Sequence, residues 1–116
     1  MQKDKKELLE KLYKRDGRKC HYCEIPEKLF SELWGEFYGL GWRGTRLEID
    51  RKHAVVREGK DIKKRQLKYT PKNCVLACAL CNMAKSDMFT PEEFHKVGKV
   101  IEEIWRERQR LGLKVR

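Results

Sequence analysis

Four of the five cysteines fall into two Cys-x-x-Cys pairs, Cys20/Cys23 and Cys78/Cys81. Each pair offers two thiolates from one tight turn, and two such pairs can close a tetrahedral shell around one Zn²⁺. All of residues 24 to 77 lies between the pairs, so the metal would staple remote parts of the chain. In a small domain such a staple contributes on the order of 10 kcal/mol to folding. Buried free thiols or a redox couple are the other readings of the same spacing. The fifth cysteine, Cys74, reads as a small buried apolar residue. His21, inside the first turn, is expected to point away from the metal. The start, MQKDKKELLEK, lacks an apolar leader. The expected setting is therefore a reducing cytoplasm, where an odd number of cysteines suits a metal better than disulfides.

A metal site needs elements to bring its ligands together. Leu8, Leu9, Leu12 and Tyr13 fall on one stripe, which predicts a helix over residues 4 to 16, stopped by Gly17. Gly17 to Cys23 forms a tight turn. Pro26 opens a second helix whose apolar face is Leu29, Phe30, Leu33, Trp34 and Phe37. Tyr38 to Gly44 holds three glycines and reads as a loop. Arg46 to Val56, with Leu47, Ile49, Val55 and Val56, is the best strand candidate. Asn73 to Ala77 is either a short second strand or the approach to the second cysteine pair, and a short helix is expected from Ala79 to Lys85. Thr90-Pro91-Glu92-Glu93 predicts a capped helix start, followed by Phe94, Val97, Ile101, Ile104 and Trp105 as a buried face. His95, one position off that face, reads as solvated. Trp34, Trp42 and Trp105 read as core rather than as platforms for bases.

The length of 116 residues argues for one domain, 1–116, with room for one modest core. That excludes a two-domain enzyme with a large pocket. No apolar run approaches the roughly 20 residues of a membrane helix. Twenty-eight Lys and Arg against 18 Asp and Glu leave a net +10, which points to a polyanionic partner, nucleic acid before an anionic membrane surface. Residues 57 to 72 hold seven Lys and Arg, Lys63, Lys64 and Arg65 at their centre, against two acids. Such a run is ordinarily a solvated loop.

Two segments beside the cysteines carry the remaining chemistry: Leu47-Glu48-Ile49-Asp50-Arg51-Lys52-His53, and Asn73 followed by Cys78-Ala79-Leu80-Cys81-Asn82-Met83-Ala84-Lys85. Here the chain resembles the HNH endonuclease family, with its ββα-metal fold. That family carries an acidic residue followed by His on the first strand, an Asn before the second, and Cys-Asn-x-x-Lys leading the helix. The match covers about residues 18 to 87. The resemblance implies an α+β fold, a zinc-stapled hairpin and helix flanked by further helices. It implies Asp50 and Asn82 as ligands of a catalytic divalent metal, Asn73 as a brace of the hairpin, and Lys85 as a phosphate contact. Because those ligands are oxygens, Mg²⁺ or Mn²⁺ is expected beside the structural zinc.

This chain has Arg51 where the family usually has its water-activating His. A guanidinium is a poor base but a good donor to phosphate. That leaves His53, Tyr38, Tyr69 or water held by the metal as the base, with His53 the first choice. In a nuclease the basic run 57 to 72 becomes a phosphate-contacting element. The expected activity is hydrolysis of DNA, most simply double-stranded and nicked by a monomer. The rivals are an inactive zinc module that binds nucleic acid, and a nuclease acting on RNA.

Overall fold

The computed structural model describes residues 3–34, 46–52, 69–86 and 88–112. In chain order the elements are α1 (Lys3–Asp16), α2 (Glu27–Trp34), β1 (Glu48–Arg51), β2 (Cys74–Ala77), α3 (Ala79–Lys85) and α4 (Pro91–Arg110). The chain is thus mixed helix and strand, a two-stranded antiparallel hairpin with helices around it, as expected from the sequence.

Helix α1 buries Leu8 and Leu12 and packs on β2. Gly17 ends it in the left-handed region (φ +81°), and its N–H returns to the Tyr13 carbonyl at 2.9 Å. Helix α2 buries Phe30 and Leu33; Phe37 and Trp42 lie outside the described residues. One carboxylate links these parts. Glu27 accepts from the Tyr13 hydroxyl at 2.5 Å, from Arg18 at 2.9 Å and from the Leu47 N–H at 3.0 Å. Burial works against the charge, yet these donors hold Glu27 below the usual carboxylate range. Burial and that same carboxylate push Tyr13 up to about 12.

Strand β1 pairs antiparallel with β2, Glu48 opposite Ala77, Ile49 opposite Leu76, Asp50 opposite Val75 and Arg51 opposite Cys74. All four β2 residues are buried, which explains an unbroken apolar run where alternation would mark a half-exposed strand. The first strand is shorter than the Arg46 to Val56 expected: it begins at Glu48, and residues 53–56 lie outside the described residues. Pairing reaches one residue past Arg51, where the Lys52 N–H donates to the Asn73 carbonyl at 2.7 Å.

Helix α3 follows β2 at once, with Cys78 as its N-cap, the sulfur accepting the Cys81 N–H at 3.4 Å. Helix α4 starts on the expected capping box of Thr90 and Glu93. Its buried face is Pro91, Phe94, Gly98, Ile101 and Trp105, whereas Ile104 is 42% exposed. The helix rolls toward a residue with no side chain. A methyl group on Gly98 would come within 2.7 Å of the Tyr22 carbonyl carbon. So α4 lies almost backbone to backbone on the first cysteine turn, and Trp105 fixes the contact by donating Nε1–H to the Cys23 carbonyl at 2.7 Å.

Candidate active site

The two cysteine turns meet. The sulfurs of Cys20, Cys23, Cys78 and Cys81 all lie within 4.8 Å of one another, and all four residues are buried. The edge of a tetrahedron with Zn–S bonds of about 2.3 Å is about 3.8 Å, and Cys23 Sγ stands 3.8 Å from Cys78 Sγ. Main-chain N–H groups of Tyr22 and Cys81 point at the sulfurs of Cys20 and Cys78, each at 3.4 Å. Burial raises these thiols, but hydrogen bonds from the other three hold Cys20 well below the usual range, while bonds with Cys20 and Cys23 drive Cys78 up. Protons shared in this way leave room for little negative charge, so four thiolates together require a cation. The donor set fits zinc, and His21 is not part of it: its ring rests against Tyr22 and His95, while its main-chain N–H donates to the Leu76 carbonyl at 2.8 Å. Cys74 is buried as expected.

The hairpin and α3 form the second arrangement. Asn82 and Lys85, three apart, share the face of α3 that meets β1. Glu48 and Asp50, two apart, share a face of the strand. The groups pair in order: Asn82 Nδ2 donates to Glu48 Oε1 at 2.7 Å, and Lys85 Nζ reaches Asp50 Oδ2 at 3.5 Å. Lys85 also donates to the Arg51 carbonyl at 3.0 Å, and the Tyr22 hydroxyl donates to Asp50 Oδ2 at 2.7 Å. Asp50 is buried. Burial lifts its carboxyl above the usual range, with Tyr22 and Lys85 pulling the other way. Burial and the Asp50 carboxylate push the Tyr22 phenol far up, so it stays a donor.

This order leaves particular atoms over. A carboxylate only accepts, so the Glu48 contact fixes which end of the Asn82 amide is nitrogen and leaves Oδ1 for a cation. On Asp50, Oδ2 has two donors, and among the described residues Oδ1 has none. A carboxylate and an amide oxygen are the ligand types that hard divalent cations take.

The chain has the ββα-metal fold. It is similar in structure to a solved protein, the rare-cutting HNH restriction endonuclease PacI, with a TM-score of 0.59 and 23% identity over 90% of this chain and 81% of that one. No model of a known protein family matches the sequence, and no curated protein does. In the ββα-metal unit seen here, Asp50, Arg51, Asn73, Asn82 and the four cysteines gather around one hairpin and one helix. Arg51 is half-buried, its guanidinium carbon 4.9 Å from the centre of the Tyr69 ring. Asn73 lends its main-chain carbonyl to the hairpin. His53, Lys63, Lys64, Arg65 and Tyr38 lie outside the described residues.

Lys85 departs from expectation. It is wholly buried, and its ammonium serves Asp50 and the Arg51 carbonyl rather than an outside phosphate. Two residues were missed by the sequence reading. Glu48 orients Asn82, and Tyr22 holds Asp50. The period of two along β1 could have drawn attention to Glu48; nothing in the spacing marked Tyr22.

Proposed function

We propose that this protein is a metal-dependent DNA endonuclease that hydrolyses phosphodiester bonds. The observation that carries the reading is the ordered pairing along β1 and α3, in which Asn82 Nδ2 meets Glu48, Asp50 Oδ2 meets Tyr22 and Lys85, and the Oδ1 atom of each is left over among the described residues. Those two oxygens would hold a Mg²⁺ or Mn²⁺ ion, which when bound supplies positive charge to the scissile phosphate and to the leaving oxygen. Glu48 keeps the Asn82 amide turned. Tyr22 and Lys85 keep Asp50 turned. Arg51, propped on Tyr69, donates to a phosphate oxygen and stabilises charge that builds there. His53 takes the proton of the attacking water. Lys63, Lys64 and Arg65 grip flanking phosphates.

The whole chain, 1–116, acts as one domain in the cytoplasm, its zinc held by the four cysteines. Double-stranded DNA is the substrate, and a monomer with one such centre cuts one strand at a time. Supercoiled plasmid incubated with the zinc-loaded protein and Mg²⁺ or Mn²⁺ should accumulate open circles before linear forms, with no product when divalent ions are withheld. Linear product without prior open circles would reject the nicking monomer. Binding with no cleavage of plasmid or of RNA under any divalent ion would reject the enzyme in favour of a zinc binding module.

A further inference from the structure

We infer that a cavity beside Asn82 is a subsite for one unstacked nucleotide of the strand being cut; the inference rests on the nuclease reading above. The cavity, of about 260 Å³, lies between α1, the start of β1, Tyr69 and α3. Leu9, Leu47 and Ile49 give it apolar lining, Lys5 and Arg46 bring positive charge against the one acid, Glu48, and Asn82 belongs both to it and to the proposed reaction centre. Complete small-molecule sites occupy roughly 300–1,000 Å³, so this space suits one unit of a longer chain.

Tyr69 decides what kind of unit. Tyr69 is 43% exposed and lines the cavity. Lys5 Nζ lies 4.5 Å from the ring centre and the Arg51 guanidinium carbon 4.9 Å. An exposed ring with cations against it is the pairing by which proteins hold a nucleobase and its phosphates together. An apolar ligand would make no use of Lys5, and a free phosphate would make no use of Leu9, Ile49 and the ring. A nucleotide uses both. Inside a duplex each base has both faces covered by its neighbours, so only a base drawn out of the stack can present a face to Tyr69. A nucleotide lodged there would bring its own phosphate to Arg51 and Asn82.

The test measures binding by the zinc-loaded full chain without added Mg²⁺ or Mn²⁺. The probes are a fully paired DNA duplex, the same duplex with a short central bubble, and single strands carrying a fluorescent purine analogue. The bubble should bind at least about 10-fold tighter than the paired duplex, and the analogue's emission should fall on binding, as stacking on Tyr69 requires. Tyr69→Ala should weaken bubble binding by about 5- to 100-fold and abolish the emission change, and Tyr69→Phe should preserve both. Loss of stacking leaves the salt dependence intact, so Tyr69→Ala should keep the parental slope, whereas Lys5→Ala should lower it by about 0.7–0.9 for each phosphate no longer neutralised. Equal binding of bubble and paired duplex, or Tyr69→Ala binding as the parent does, overturns the subsite. The two readings fail separately. The expected binding pattern without cleavage would reject only the nuclease, and cleavage indifferent to Tyr69→Ala would reject only the subsite.

Discussion

Replacing Lys85 by methionine keeps most of the side chain's length and removes its charge. In the parent, Nζ lies 3.5 Å from Asp50 Oδ2 and 3.0 Å from the Arg51 carbonyl, with the lysine fully buried and Asp50 5% exposed. At an effective dielectric of roughly 20, two unit charges at that distance attract by about 5 kcal/mol. Removing one member of a buried pair costs about 3–5 kcal/mol, because the other charge is stranded. A small domain has only about 5–15 kcal/mol in all. With a urea slope of roughly 1–2 kcal/mol per molar, the unfolding midpoint of Lys85→Met should fall by about 2–3 M, measured with zinc supplied throughout. Adding Asp50→Asn should restore most of the loss, since a neutral amide needs no counter-charge. The effect should also depend on pH. The folded carboxyl of Asp50 already titrates above its ordinary range, so the folded state binds the proton more readily than the unfolded chain. Stability from that group is present at low pH and is lost as pH rises through the raised pKa. Without Lys85 the carboxyl rises further, so the gap between variant and parent should narrow on acidification. A midpoint within about 0.5 M of the parent, or a double variant no better than Lys85→Met, would show that the pair does not matter and return Lys85 to the surface chemistry expected from sequence.

Elemental analysis should find one zinc per chain, and Cys78→Ser should lose it together with several kcal/mol of stability, on the scale of structural zinc; a zinc-free parent refutes the site. Asp50→Ala and Asn82→Ala should abolish plasmid cleavage, and Asp50→Ala should leave DNA affinity nearly intact, since that residue carries no positive charge. Glu48→Gln should weaken the response to divalent ion concentration more than the rate at saturation, because a loosened Asn82 binds the ion less well; an unchanged titration curve removes Glu48 from the site. His53→Ala should lose roughly 10²-fold in single-turnover rate and flatten the pH profile near neutrality, and a parental rate and profile would place the base elsewhere.

What the sequence revealed follows the range of the interactions involved. Helix α3 and the start of α4 depend on neighbours three or four residues away, Cys78 with Cys81 and Thr90 with Glu93, so spacing alone marked them. The cysteine pairs were legible because zinc accepts few residue types. Lys85 was misplaced because its partner depends on how α3 crosses β1, and no local pattern encodes that crossing. Ile104 looked buried because the apolar positions of α4 were read without Gly98, which gains its place by having no side chain. The start of β1 was overread for a similar reason: Leu47 favours an extended chain, but pairing partners set where a strand begins, and pairing begins at Glu48.

Tyr22 stands between Cys20 and Cys23 and also bonds Asp50, the carboxylate proposed to be catalytic. On the proposed reading, the turn that would enclose the zinc is therefore also the mount for part of the reaction centre. A zinc-free chain would lose the fixed position of Tyr22 and, with it, the setting of Asp50. If the chain cuts DNA as proposed, zinc occupancy acts as a licence: a chain that has not acquired its metal, or has lost a thiolate to oxidation, would still cling to DNA through its excess positive charge and yet leave the strand uncut.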